Sequence, residues 1–455
     1  MLLMAGLVTL VLFLCLFIKY KTGVEISPSD TQLINLEKTI IPGAIYDRNG
    51  LLIAEGTETN GTFTYIEDAS IRQSFSNIFG LSLPQTGISP FYLRKILAAD
   101  LYGYETNRLT LQSFVDTSRK GSDVNLTLDM ALNGQIYEIL QSSQSSAGAC
   151  VYNYLTGEVI ALVSTPSYDL ADETTWPLTE NNKIDVTKNN YAGMNRVMQE
   201  CYPPCSMVKP ILYSVILEQM PEAAKFQYEC SASTKIHGIL ITDHSAHGSM
   251  NLQSAIAHSC NTYAVQMGNF LTAEEFQTAL EAFGFGEGLY SEYLTYYKGT
   301  IDMSETVNKV YAMLGQGGKT KMSVLQLTKC YGAFFNRGIM MEPYITKDVQ
   351  EQIGKQVISE NTAQLILEGL KQAAEYGTAS HLNLSSYGYT CAGKTGTGDL
   401  QDNNTIWCTG GFVDQTMPYI VTVCLTGRDA GDTGGEACSP MVRNILELLI
   451  QNGNE

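Results

Sequence analysis

The sequence predicts an α+β fold built on one mainly antiparallel sheet, and three observations carry that expectation. Two β-prone runs, 150–154 and 159–163, flank the turn Leu155-Thr156-Gly157-Glu158. Three more, 389–397, 405–413 and 419–425, lie near the C-terminus and are separated by turn residues. Between the two groups the pattern is helical, and an amphipathic helix over 441–450 closes the chain.

A chain of 455 residues has room for two or three domains and a core that needs no staples. Hydrophobic residues at 44% and charged residues at 16% exclude a disordered, collagen-like or many-span membrane protein. The net charge of -18 would repel a phosphate backbone, so nucleic acid is not an expected partner. Residues 1–18 carry no charged side chain and are at the short end of what spans a bilayer. The run passes straight into Lys19, Tyr20 and Lys21 with no small-x-small cleavage pattern, which favours an uncleaved membrane anchor over a signal peptide. The lysines stand on the wrong flank to set orientation by charge, and Leu14 before Cys15 makes a poor lipid-attachment site.

Residues 24–121 are mixed in pattern, with no grouping of catalytic residue types, and read as a small accessory domain. From 122 to 455 the signals sharpen, beginning with Asp129 as the cap of a helix whose apolar residues Leu132, Ile136, Ile139 and Leu140 recur at helical spacing. Ten of the 11 cysteines follow the anchor, scattered in spacing. Cys201 and Cys205 are near enough in sequence to pair, but free, partly buried thiols are the plainer expectation. His244 and His247 have the spacing of a metal pair, yet the sequence shows no cluster of further ligands; neither metal nor cofactor is expected.

Three short segments can carry chemistry. In Tyr202-Pro203-Pro204-Cys205-Ser206-Met207-Val208-Lys209 the prolines end what precedes, and a helix over 206–220 would begin at Ser206. Lys209 would lie one turn on, on the same face. A serine hydroxyl needs a base, and a desolvated lysine near a second cation can serve as one. Alone, Ser-x-x-Lys should occur about once or twice by chance in a chain this long. Ser259-Cys260-Asn261 offers a hydroxyl to relay a proton and an amide to hold a peptide carbonyl, although a loop is its commoner use. Lys394-Thr395-Gly396-Thr397 joins a cation, two hydroxyls and a glycine that admits close backbone approach, which suits a carboxylate along a sheet edge; a surface turn is the bland alternative.

Their order, S-x-x-K then S-x-N then K-T-G, resembles that of the penicillin-recognising serine enzymes. The chain resembles the monofunctional, class B, high-molecular-weight penicillin-binding proteins in particular. Gly43-Ala44-Ile45-Tyr46-Asp47-Arg48-Asn49-Gly50, Leu126-Thr127-Leu128-Asp129, Thr156-Gly157-Glu158-Val159-Ile160-Ala161 and Ser164-Thr165-Pro166-Ser167-Tyr168-Asp169 match it. So do Asn195-Arg196, His247-Gly248-Ser249, Gly315-Gln316-Gly317, Leu325-Gln326, Gly377-Thr378-Ala379, and Trp407 with Gly410-Gly411-Phe412. The likeness is strong from about 124 to 443 and thin before it; Cys205 stands where the family has glycine, and Pro42 where it has arginine.

The resemblance implies a five-stranded antiparallel sheet flanked by helices, a helical subdomain, and a D,D-transpeptidase that cross-links peptidoglycan. In that scheme Ser206 attacks the penultimate D-Ala carbonyl of a stem peptide, and the amine of a second stem resolves the acyl-enzyme. Lys209 is the acylation base, Ser259 the relay, Asn261 the amide clamp and Lys394 the partner of the relay. Thr395, Gly396 and Thr397 bind the substrate, the two threonines holding its terminal carboxylate. The backbone N–H groups of Ser206 and Thr397 form the oxyanion hole, and β-lactam antibiotics trap Ser206. The resemblance also implies a cell-membrane protein with its bulk extracytoplasmic and a membrane-embedded glycan polymerase as partner. A β-lactamase or D,D-carboxypeptidase, which passes the acyl group to water, shares the same serine machinery and is told apart by penicillin turnover. A non-catalytic penicillin-binding scaffold or sensor would label with penicillin but fail to turn over a D-Ala-D-Ala thioester.

Overall fold

A computed structural model describes residues 30–81, 93–103, 120–180, 185, 187–286, 288–290, 294–317, 319–347, 354–398, 404–428 and 432–453. The expected membrane helix over 1–18 lies outside them; among the described residues no helix is long and apolar enough to cross a membrane. The chain divides into two compact units, one of 1–45, 54–65 and 79–124, the other of 46–53, 66–78 and 125–455.

The smaller unit carries a hairpin with Ala54 opposite Tyr65 and Gly56 opposite Phe63. Its Arg94 is buried, donates to the Tyr65 hydroxyl at 2.7 Å and lies 4.7 Å from the centre of the Phe63 ring. A guanidinium tolerates such a place because the ring face and the hydroxyl replace part of its water.

In the larger unit the labelled elements run α1 (Met130–Gln141), β1 (Ser146–Asn153), β2 (Val159–Thr165), α2 (Val208–Gln219), α3 (Leu252–Ala257), α4 (Asn261–Met267), α5 (Val324–Phe335), α6 (Glu360–Glu375), β3 (Cys391–Thr397), β4 (Asn404–Phe412), β5 (Tyr419–Arg428) and α7 (Ser439–Asn452). The sheet has five strands in the order β3-β4-β5-β1-β2, every neighbouring pair antiparallel. Asp129 caps α1, its carboxylate accepting from the Leu132 N–H at 2.9 Å.

Successive side chains on β1 face opposite ways. Ala147, Ala149 and Val151 join Leu132, Ile136 and Leu140 of α1 and Val442, Ile445 and Leu446 of α7 in one core. Tyr152 points to the other face, where Gly332 of α5 leaves room for its ring. A sheet covered on both faces explains why the β2 sequence Val-Ile-Ala-Leu-Val-Ser-Thr does not alternate: all seven residues are buried. Each such aliphatic side chain contributes about 2 kcal/mol by leaving water. β3 forms the sheet's edge and presents its Lys-Thr-Gly-Thr segment there.

One boundary differs from the sequence expectation. The α-helix after the prolines begins at Val208 rather than at Ser206, because Cys205 adopts a left-handed φ of 53° and the chain first makes a 3-10 turn over Cys205–Met207. Pro210 still falls in the first turn of α2, where the missing N–H costs nothing.

Candidate active site

The turn bearing Ser206 is pinned from several sides. Trp407 Nε1 donates to the Pro203 carbonyl at 2.9 Å, and the Tyr331 hydroxyl to the Met207 carbonyl at 2.8 Å. The Cys205 N–H donates to the Gly315 carbonyl at 3.0 Å. A Cβ on Gly396 of β3 would stand 2.9 Å from Met207 Cγ and 3.1 Å from the Pro204 carbonyl oxygen, so glycine lets the edge strand lie against the turn. Cys205 and Met207 are buried while Ser206 between them is half-exposed, so its hydroxyl is open to a ligand.

Lys209, fully buried at 0% exposure, reaches from α2 to the Ser259–Asn261 segment. Its Nζ donates to Asn261 Oδ1 at 2.6 Å and to the Ser259 carbonyl at 2.5 Å, and lies 3.5 Å from Ser259 Oγ. Lys394, also at 0%, donates from the strand to Ser259 Oγ at 2.9 Å and to the Thr395 carbonyl at 2.8 Å. Segments around 209, 259 and 394 therefore converge on the Ser259 hydroxyl. Ser259 takes a left-handed φ of 57° between α3 and α4.

Two ammonium groups brought out of water near one another cannot both hold their protons easily. Burial pulls Lys209 down to about 8, with Asp243 the chief group opposing the shift. Burial, and then the Lys209 charge, holds Lys394 well below the ordinary lysine range. A lysine that can shed its proton not far above neutral pH, beside a second hydroxyl, is what activation of a serine requires.

The remaining predicted residues lie on the β3 edge. Thr395 is buried, and its hydroxyl donates to that of Thr378 at 2.8 Å. Thr397 is exposed, and its Oγ1 accepts from the Gly434 N–H at 3.0 Å. Beside the Ser206 turn opens a cleft of about 870 Å³ whose lining includes Tyr202, Pro203, Lys321 and Thr405.

The sequence reading gave no role to Asp243. Its carboxylate accepts from the Asn261 N–H at 2.5 Å, the Thr262 N–H at 3.0 Å and the Thr262 hydroxyl at 2.7 Å, fixing the start of α4 and with it the Asn261 side chain. Nor did it assign Thr378 or Gly315, whose parts depend on contacts across long sequence gaps. It also found no ligands around His247; in the structure Cys230, Asp243 and Cys260 gather there, while His244 is exposed and apart. None of the ten described cysteines forms a disulfide.

Among curated proteins the chain is similar to Penicillin-binding protein 3 of Bacillus subtilis, 29% identical over 62% of this chain and 44% of that protein. It is similar to Stage V sporulation protein D of the same organism, 25% identical over 72% of this chain and 53% of that protein. Peptidoglycan D,D-transpeptidase FtsI of Buchnera aphidicola is 23% identical over 79% of this chain and 63% of its own length. The alignments thus span only about half the length of these relatives. Among solved structures, penicillin-binding protein A from M. tuberculosis in a ceftriaxone acyl-enzyme complex superposes with a TM-score of 0.76 at 20% identity, covering 92% of this chain and all (100%) of that one. The D,D-transpeptidase domain of a peptidoglycan glycosyltransferase from Eggerthella lenta gives 0.74 at 20% identity, over 91% and 99%. These likenesses show a shared fold. The family described as penicillin binding protein transpeptidase domain matches residues 147–447. Since that match takes in most of the chain, the protein belongs to the penicillin-binding protein transpeptidase family, in its class B branch.

Proposed function

We propose that this chain is a peptidoglycan D,D-transpeptidase working through a Ser206 acyl-enzyme, and that β-lactams acylate the same hydroxyl. The observation that carries the reading is the Ser259 hydroxyl held by Lys394 at 2.9 Å, with Lys209 bonded to the same residue's carbonyl and to Asn261. Neutral Lys209 takes the Ser206 proton as Oγ attacks the penultimate D-Ala carbonyl. The C–N bond breaks, and the proton passes through Ser259 to the departing amine of D-Ala. An amine of a second stem peptide then attacks the ester, forms the new amide and returns a proton to Ser206 Oγ. Backbone N–H groups of Ser206 and Thr397 stabilise the oxyanion, Asn261 holds a substrate amide, and Thr395 and Thr397 with Gly396 between them take the terminal carboxylate.

On the same reading, residues 1–18 anchor the chain in the cell membrane with its bulk outside. Residues 24–121 form an accessory domain, 122–455 perform the transfer, and a glycan polymerase supplies the strands. Fluorescent penicillin labelling of the wild type beside Ser206→Ala, with the adduct located by mass spectrometry, tests the assignment. The adduct is expected on the peptide containing Ser206 and is expected to vanish in the variant; an adduct elsewhere, or undiminished labelling of Ser206→Ala, refutes it. With a D-Ala-D-Ala thioester and an amine acceptor, aminolysis over hydrolysis separates a transpeptidase from a carboxypeptidase or β-lactamase.

A further inference from the structure

We infer that Cys230, Asp243, His247 and Cys260 form a binding site for a divalent transition-metal ion, zinc by its donor chemistry, directly behind the Ser259–Asn261 segment. The donor atoms of these residues all lie within 4.8 Å of one another. Cys230 Sγ is 3.4 Å from His247 Nδ1 and 3.4 Å from Asp243 Oδ2, and Cys260 Sγ is 3.4 Å from the same Oδ2. Zinc bonds of about 2.3 Å to sulfur and about 2.1 Å to nitrogen or oxygen require tetrahedral edges of about 3.5 Å between unlike donors. Three of the edges, at 3.4 Å each, come close to that value before any ion is added, and the other donor pairs lie within 4.8 Å.

The fold builds this set from separate stretches. Strands Tyr228–Cys230 and Gly248–Met250 pair with Gly248 opposite Cys230, which brings His247 beside the Cys230 thiol. The His247 ring stacks on His258 with centroids 5.6 Å apart. Cys260 caps the start of α4. The Thr262 hydroxyl, 2.7 Å from Asp243 Oδ2 and 3.3 Å from each of the two thiols, steadies the ligands from outside. Both cysteines are buried and Asp243 and His247 half-buried, so an ion would be shielded yet reachable. Two thiols, one imidazole and one carboxylate suit zinc better than magnesium or calcium, which take oxygen ligands. On binding, each thiol gives its proton to solvent as its S–metal bond forms, and His247 ligates as the neutral imidazole through Nδ1 with its proton on Nε2.

Cys260 stands between Ser259 and Asn261, and Asp243 already holds the Asn261 N–H. An ion on both residues would clamp the segment that meets Lys209 and Lys394. The metal claim stands by itself; only its effect on labelling rests on the proposed transpeptidase activity.

The test uses the full chain, purified under reducing conditions. Elemental analysis after dialysis is expected to find about one zinc per chain, and cobalt replacement to give a thiolate-to-cobalt charge-transfer band. Cys230→Ser and His247→Gln should each weaken metal retention by roughly 10-fold or more, and metal removal should slow penicillin acylation roughly 10-fold. Ser206→Ala should bind metal as the wild type does, so a failure of labelling with the metal intact counts against the activity alone. A wild-type chain, folded by circular dichroism, that binds neither zinc nor cobalt overturns the inference. So does a cobalt band unchanged in Cys230→Ser, or a reduced preparation in which Cys230 and Cys260 are found joined as a disulfide.

Discussion

The two walls of the candidate site, one carrying Ser206 and the other Ser259, are held by different forces. The wall carrying Ser206 is fixed by shape: a Cβ on Gly315 would stand 1.9 Å from the Cys205 carbonyl oxygen, and Gly396 lies against Met207. The wall carrying Ser259 is fixed by charge and hydrogen bonds, with the Asp243 carboxylate behind it and the amines of two buried lysines in front. Close packing has no dependence on pH but tolerates no added atom. A polar wall tolerates small changes of volume but responds to every change of protonation.

The strongest way to break this contrast is Gly315→Ala. The added methyl meets backbone rather than a flexible side chain, at a residue whose φ is +68°. We expect a loss of about 3 kcal/mol in urea unfolding and no penicillin labelling. Wild-type labelling in this variant would mean that the Ser206 wall yields, and the distinction between the walls would fall.

Lys209→Met strikes the polar wall instead. Acylation should drop roughly 10²–10⁴-fold, as removal of a general base does. Thermal stability should move little, because the lost hydrogen bonds to Asn261 and Ser259 are offset by the desolvation cost no longer borne by a buried cation. A large fall in Tm beside a small fall in rate would make Lys209 a structural strut.

A pH profile sharpens the same comparison at smaller amplitude. Lys209 is pulled down to about 8, so below that value its amine is protonated and cannot accept the Ser206 proton. The penicillin-labelling rate should therefore rise roughly 10-fold between about pH 7 and about pH 9 and level off beyond. Gly396→Ala, a change confined to the shaped wall, should lower the plateau and leave the midpoint in place. A midpoint that moved with Gly396→Ala would show that packing and protonation are not separable here.

The same division explains what the sequence made legible. Ser206 and Lys209 stand one turn apart, Lys394 lies within a recognisable strand, and the strands and closing helix announce themselves by local pattern. Asp243 and the cluster around His247 gave no such sign, since strand pairing brings His247 to Cys230 while Cys260 reaches them from the start of α4 through Asp243. The late start of α2 was hidden for a similar reason: Cys205 is held left-handed partly by Gly315, more than a hundred residues further on. Motifs encode which side chains face the reaction; the groups that hold them come from wherever the fold can bring a backbone or a carboxylate.

Thr378→Val tests the smallest element of the polar wall. The buried Thr395 hydroxyl gives its proton to Thr378 Oγ1, and Thr378, being exposed, can turn its own proton toward an incoming carboxylate. Valine keeps the shape and removes that link, which costs about 1 kcal/mol of binding, a roughly 5-fold fall in the second-order acylation rate. The effect should appear in the concentration of penicillin needed for half-maximal rate and leave the saturated rate unchanged, because neither threonine touches the proton path. A fall in the saturated rate instead would tie the Thr378–Thr395 pair to the position of Lys394, whose Nζ donates to the Thr395 carbonyl at 2.8 Å.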